Sequence, residues 1–245
     1  MRASGRSAAS EAMTDLPQAV VTDIDGVVVE TEDYHRQAYN ALAAELGIAL
    51  HYSGEDYAAR LHQVGGAKLN EVMDLLGTAA DARAAEKVRL YARKTELFKE
   101  LIVADLEQGA LQTRPGVREL FEEIVAAGTV LAAASTCEKS AAVAILRHGL
   151  GEGLFGALAA VCAGADSPKM KPAPDIYLLA AERCGVPPGR CVAIEDSVHG
   201  MNAALAAGMK CLVTPSEYTL GGDFAGAHRV VDTLEGVTLA DLAAL

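Results

Sequence analysis

The chain contains no tryptophan, and aromatic residues of any kind make up only 4% of its 245 residues. With 51% apolar residues it still has enough material for a core, which must come from Ala, Val and Leu, side chains suited to close packing of helices on a sheet. Basic residues are also scarce. Lys and Arg number 21 against 33 Asp and Glu, a net charge of −12. A nucleic-acid partner needs a basic face to release counterions, and an anionic membrane surface needs the same, so neither is expected. A small anion can still bind where a few cations are concentrated.

The five cysteines, Cys137, Cys162, Cys184, Cys191 and Cys211, are odd in number and form no Cys-x-x-Cys, so a disulfide framework is not expected and a reducing compartment is. No apolar run approaches the roughly 18 residues of a membrane-spanning helix. The first residues, MRASGRSAASEAM, lack the apolar stretch of a secretory signal. They read as a flexible tail over 1–18 or as the remnant of a transit peptide. Internal repeats and low-complexity linkers are missing as well.

What is present is rhythm. Six short apolar runs, 19–25, 129–135, 158–164, 191–196, 210–215 and 228–232, read as buried strands, because they are continuous rather than alternating. Helical patterns lie between them and stop at Gly128, Gly149, Gly185 and Gly208. The βαβα order predicts an α/β fold with a doubly wound parallel sheet. One stretch breaks the pattern. Residues 33–111 carry helical periodicity only, with Ala38, Tyr39, Leu42 and Leu46 on one side of the first helix. The expected organisation is a core of 19–32 and 112–245 with an inserted helical cap domain over 33–111.

Ligands of open parallel sheets bind beyond the carboxyl ends of the strands. The first run ends in Asp23-Ile24-Asp25-Gly26 and the second in Ser135-Thr136; Lys171 comes after the third, and the fourth ends in Glu195-Asp196. In an extended strand Asp23 and Asp25 would share a face. Carboxylates so close repel one another unless a hard divalent cation such as Mg²⁺ lies between them. One carboxylate could then attack phosphorus, while another protonates the leaving oxygen and later deprotonates water. Gly26 gives the turn and leaves room, Ser135 can hold phosphate oxygens, and Lys171 neutralises their charge. Each piece alone is common in turns, caps and solvated loops; their order along successive strand ends carries the reading.

The segments VVTDIDGVVVET, LAAAST, KMKPAPDIY and VAIEDSVHGMNAALAAGM resemble the four motifs of the haloacid dehalogenase superfamily. The resemblance implies Asp23 as nucleophile, Asp25 as acid/base, Ser135 and Lys171 as phosphate ligands, and Asp196 as metal ligand. It also implies the backbone carbonyl of Asp25 and a supporting Glu195 at the metal. The insert is similar to that family's helical cap, which closes over substrate. Further segments, TEDYHRQAYN, QVGGAKLNEVM, RKTELF, RPGV and CLVTPSEYTLGGDFAGA, resemble the CbbY branch, whose members remove a phosphate from xylulose-1,5-bisphosphate, an inhibitory by-product of Rubisco. β-Phosphoglucomutase is a near relative, similar at His35 and Lys94. Position 137 is Cys where relatives often carry Ser, and Ala67 interrupts a more Gly-rich loop.

In the insert, Gly65-Gly66 with Lys68 can receive a second phosphate, and Arg93 or Lys94 can point inward; solvated helix faces are the competing reading. His35 and Glu30 are candidate substrate contacts, against a core and a surface role. The sequence leaves three functions open: a sugar-bisphosphate phosphatase, a sugar phosphomutase and a non-catalytic phosphate-binding regulator. A monomer is expected, in the cytoplasm or, in a photosynthetic eukaryote, the plastid stroma.

Overall fold

Each of the six apolar runs forms a strand in the computed structural model, which describes residues 16–60, 63 and 66–245. In chain order the elements are β1 (Ala19–Thr22), α1 (Glu32–Glu45), α2 (Gly54–Ala58), α3 (Leu69–Leu75), α4 (Arg83–Gln108), α5 (Val117–Ala126) and β2 (Val130–Ser135). Next come α6 (Lys139–Ala157), β3 (Ala160–Ala163), α7 (Asp175–Cys184), β4 (Cys191–Glu195), α8 (Val198–Ala206), β5 (Lys210–Val213), β6 (Arg229–Val230) and α9 (Leu239–Ala243). The strands make one parallel sheet in the order β3-β2-β1-β4-β5-β6. β1 therefore sits between β2 and β4, where the strand order reverses. That is the switch point at which a doubly wound sheet opens a crevice beyond its strand ends.

Helices on both faces explain why the central strands β1, β2 and β4 are buried along nearly their whole length, whereas the edge strand β6, expected to be buried, is exposed at both Arg229 and Val230. The core between them is built from small side chains. Ala134, Ala180, Ala181, Ala193, Ala203 and Ala204 pack with Val21, Ile176 and Tyr177, which lets helix and sheet approach closely.

Two local expectations are corrected. β1 stops at Thr22, so Asp23 and Asp25 lie in the turn beyond it and not on one strand face. The helix expected to end at Gly149 runs on only to a non-helical break at Gly151 (φ 76°, ψ 163°), beyond which a second short helix reaches Ala157. Leu150 and Leu154 are buried, and covering them carries the chain past Gly149.

The chain divides into two compact units. Among the described residues, one takes in 16–30 together with Thr113–Leu245, and the other lies within Thr31–Gln112. The second unit holds helices alone among its described residues. α1 lays Ala38, Tyr39, Leu42 and Ala43 against α4, whose buried face includes Leu90, Leu97, Phe98 and Ile102. Leu46 caps α1 and is only partly buried. No described helix is long and apolar enough to cross a membrane.

Candidate active site

The turn after β1 is rooted by apolar neighbours. Ile24, Val27, Val28 and Val29 are fully buried, and the Asp23 N–H donates to Ile194 O of β4 at 2.8 Å. Asp23 is thereby fixed beside the end of β4. The Gly26 N–H donates to Val29 O at 2.8 Å and closes the turn. Gly26 has φ +79°, and a Cβ there would strike the Asp196 carboxylate. Glycine is required on both counts: the backbone conformation and the close approach of the two strand ends.

Lys171 joins the carboxylates. Its Nζ lies 2.6 Å from Asp23 Oδ1, 2.6 Å from Glu195 Oε1 and 3.0 Å from Ala134 O. Burial works against the ammonium, but Asp23 and Glu195 outweigh it and hold the Lys171 pKa above the ordinary lysine value. Glu195 is fully buried and takes several donors besides Lys171. Tyr177 Oη donates at 2.5 Å, the Asp196 N–H at 3.2 Å and Ser197 Oγ at 3.3 Å. Its carboxylate lies where a Cβ of Gly200 would fall, so that glycine makes the space for it. A buried charge so fully bonded is held rigid. Asp196 accepts from Ser216 Oγ at 2.7 Å. Thr219 Oγ1 donates to the Asp196 carbonyl at 2.8 Å.

These residues fit a divalent cation. Ligand atoms of Asp23, Glu195 and Asp196 all lie within 4.8 Å of one another, and all three residues are buried. Lys171 is the ammonium that faces them, so negative charge remains in excess. The consequence is visible in their acidity. Burial, followed by Glu195, Asp196 and Asp25, drives the Asp23 pKa well up despite Lys171. Burial and Glu195 push Asp196 up to about 7. A hard cation with oxygen ligands removes that cost. The Asp25 side chain lies outside the triad: Oδ2 accepts from Ser135 Oγ at 3.0 Å, and Oδ1 is buried with no hydrogen-bond partner.

The end of β2 is arranged around Asp25. Ser135 donates its hydroxyl proton to that carboxylate and accepts from the Cys137 N–H at 3.0 Å. Thr136, the next residue, is partly buried. Burial pushes the Cys137 thiol up, with Asp25 adding to it, so the thiol stays protonated. Glu30 pairs with Arg114, Oε1 to Nε 3.1 Å.

In the helical unit the sequence offered Arg93 or Lys94 as an inward-pointing cation, with Lys94 as the candidate substrate contact and a helix-face ion pair as the competing reading for Arg93. The structure separates them. Arg93 is exposed and pairs with Glu45 at 2.6 Å and Glu100 at 3.1 Å. Lys94 is buried, with Nζ 2.6 Å from His35 Nδ1 and above the rings of Tyr39 and Phe98. Lys68 is buried too: its Nζ donates to Gln63 O at 3.0 Å and lies 4.7 Å from the Tyr57 ring centroid, and burial lowers its pKa. Gly66 has φ +74°, next to the Tyr91 ring; Gly65 lies outside the described residues.

His35 stacks on Phe98 at 4.0 Å between centroids, and burial, then Lys94 and Lys68, hold its pKa well below the ordinary value. The unfolded chain binds a proton near pH 6.5 that the folded one refuses, so this contribution to stability is complete above that pH and falls away below it. One such group can lose at most about 1.4 kcal/mol per pH unit, so about 2 kcal/mol is the ceiling at pH 5. His35→Gln keeps an acceptor for Lys94 and does not titrate. The expected result is that the difference in unfolding free energy between wild type and His35→Gln shifts by up to that much from pH 7.5 to 5. A constant difference would show a protonated His35 in the fold.

Several residues of the site were not singled out from sequence: Arg114, Tyr177, Gly200, Ser216 and Thr219. Ser216 had a signal, since it lies just past β5 as the other site residues lie just past their strands. Tyr177 sits two residues into α7, inside a motif that was read for its lysine.

Residues 17–208 match the haloacid dehalogenase-like hydrolase family. Protein CbbY of Rhodobacter capsulatus is 36% identical over 226 residues, covering 91% of this chain and 96% of that protein. The CBBY-like protein of Arabidopsis thaliana is 38% identical over 235 residues, covering 92% of this chain and 72% of that protein. The crystal structure of a mutant CbbY from Rhodobacter sphaeroides, in complex with xylulose-(1,5)bisphosphate, has a TM-score of 0.80 at 35% identity, over 93% of this chain and 99% of that one. A β-phosphoglucomutase from Clostridium difficile, at 22% identity and a TM-score of 0.71, shares the fold. The motifs, the sheet order and the buried acidic triad converge with these likenesses on one assignment: the chain belongs to the haloacid dehalogenase-like hydrolase family and is a phosphatase.

Proposed function

We propose that the protein is a Mg²⁺-dependent sugar-phosphate phosphatase that acts through an aspartyl-phosphate on Asp23, with xylulose-1,5-bisphosphate as its substrate and removal of a Rubisco inhibitor as its role. The observation that carries the reading is the Lys171 ammonium locked between Asp23 and Glu195 beside Asp196, which sets the nucleophile against a cation-seeking cluster. Relatives from Rhodobacter and Arabidopsis, and the xylulose-bisphosphate complex of one of them, support the substrate. The same reading places a monomer in the cytoplasm or, in a photosynthetic eukaryote, in the plastid stroma.

In the first step an Asp23 oxygen attacks phosphorus, the phosphorus–sugar oxygen bond breaks, and the departing oxygen takes a proton from Asp25. In the second, Asp25 takes a proton from water, which attacks phosphorus and frees Asp23 and inorganic phosphate. Lys171 orients Asp23 and balances phosphoryl charge; Ser135 steers Asp25 through its hydrogen bond. A bound Mg²⁺ supplies charge neutralisation at the phosphoryl oxygens, with Asp23, Asp196, the Asp25 carbonyl and Glu195, directly or through water, as its protein ligands. Glycine at 26 leaves space for the phosphate, and Thr136 and Glu30 are further candidate contacts.

The test is turnover of a panel of sugar mono- and bisphosphates, scored for both free phosphate and isomerised sugar phosphate. Free phosphate released fastest from xylulose-1,5-bisphosphate is the expected result. Isomerised product in its place would make the protein a mutase.

A second phosphate needs its own cation. Lys68, beside Gly66 and Gly65, is assigned to it, with Lys94 and His35 as contacts for the sugar. A charge-assisted hydrogen bond in a partly dry site is worth about 2 kcal/mol. Lys68→Ala is therefore expected to lower kcat/KM for a bisphosphate roughly thirtyfold and to leave acetyl phosphate nearly unchanged. Equal losses on both substrates would assign Lys68 to the fold instead.

A further inference from the structure

Arg114 opens the RPGV segment, outside the four motifs that supply the site's carboxylates, hydroxyl and lysine, yet its side chain is only 13% exposed and its side-chain hydrogen bonds end on site loops. Nη1 donates to the carbonyl of Gly26, the residue after Asp25, and at 3.0 Å to the carbonyl of Thr214. Nη2 donates at 2.8 Å to the carbonyl of Pro215, the residue before Ser216. Nε pairs with Glu30 at 3.1 Å, and the Arg114 backbone N–H donates to Val28 O at 2.9 Å. One planar, permanently charged group thus spans two turns. The first carries Asp25. The second carries Ser216, whose hydroxyl holds Asp196 Oδ2 at 2.7 Å.

We infer that Arg114 is a positioning residue that locks the Asp25–Gly26 turn to the Thr214–Ser216 turn and so keeps the acid/base carboxyl and the Asp196 ligand in register. Backbone carbonyls on separate loops have no partner of their own across the gap, and a guanidinium fork bridges them where a lysine could reach one at a time. Glu30 balances the charge. Because Ser216 sets the orientation of Asp196, the lock reaches the metal as an outer-shell contact, and such contacts are worth roughly 10–100-fold in metal affinity or activity.

The inference rests on the phosphatase reading for its activity arm, and metal affinity tests it independently of any substrate. The full chain is compared with Arg114→Met, Arg114→Lys and Glu30→Gln. Mn²⁺ binding is monitored by electron paramagnetic resonance, kcat and KM are measured on one phosphate ester, and folding is checked by circular dichroism. The expected result for Arg114→Met is a tenfold or greater weakening of Mn²⁺ binding and a fall in kcat of roughly 10–100-fold, with KM changed less than about threefold. Arg114→Lys restores the charge but not the two-turn bridge, so it should recover stability and only a small part of kcat. Glu30→Gln leaves the bridge in place and should bind Mn²⁺ as wild type does. Folded Arg114→Met or Arg114→Lys with wild-type Mn²⁺ affinity and kcat would overturn the positioning role. So would losses that Arg114→Lys repairs in full, because charge alone would then suffice. If the wild type hydrolyses no phosphate ester, the functional reading fails, and the Mn²⁺ comparison still decides the role of Arg114.

Discussion

Asp23→Asn is expected to lower kcat by at least a thousandfold, about 4 kcal/mol of barrier, while the protein stays folded. The amide keeps the size of the carboxyl and removes the attacking charge. The fold should tolerate it because Lys171 keeps its 2.6 Å partner in Glu195. The direction of the Asp23 pKa says more: burial and the neighbouring carboxylates raise it against the pull of Lys171, so its charge is costly in the metal-free protein. A neutral isostere relieves that repulsion, so the metal-free variant should melt at the same temperature as wild type or higher. Stability kept and activity lost is the pattern of a functional residue held at a cost to the fold. The check is kcat alongside thermal unfolding of both proteins without divalent ions. A loss of activity matched by a large loss of stability would assign Asp23 to structure.

Removal of divalent ions should have an effect of comparable size. Dialysis against a chelator is expected to abolish turnover, and added Mg²⁺ to restore it, because the close carboxylates of Asp23, Glu195 and Asp196 need a hard cation. The same ion should stabilise the fold by mass action, about 2.7 kcal/mol at a hundredfold excess over its dissociation constant. Asp196→Asn should blunt both effects, since it removes one ligand of the cluster. Full turnover in excess chelator would contradict the proposed chemistry.

Much of the sheet was legible because its central strands are buried on both faces and read as unbroken apolar runs. The polar residues just beyond the strand ends put Asp23, Ser135, Lys171, Glu195 and Asp196 at one rim on the strength of sequence alone. The detail of the turn was not legible. Asp23 and Asp25 come together through a turn rooted by Ile24 and three valines, not through strand alternation. Arg114 was hidden because the carbonyls it grips lie 88 to 101 residues away, and a linker arginine gives no local sign of them. The choice between Arg93 and Lys94 was available in the sequence. Lys94 falls four residues after Leu90 and four before Phe98, on the buried stripe of α4, and Arg93 falls beside it. The charge is the unusual part: a lysine is rarely counted with the core, and here aromatic rings and an imidazole acceptor make its burial tolerable.

Covalent transfer to Asp23 can be seen directly. Wild-type protein is mixed with a sugar phosphate labelled in the transferred phosphoryl group, quenched in acid within a single turnover, and digested for peptide mapping. The predicted result is transient label on the peptide that contains Asp23, released by hydroxylamine as an acyl phosphate is, and decaying as free phosphate appears. Turnover that proceeds with no protein-bound label, or with label on a peptide lacking Asp23, would contradict the account.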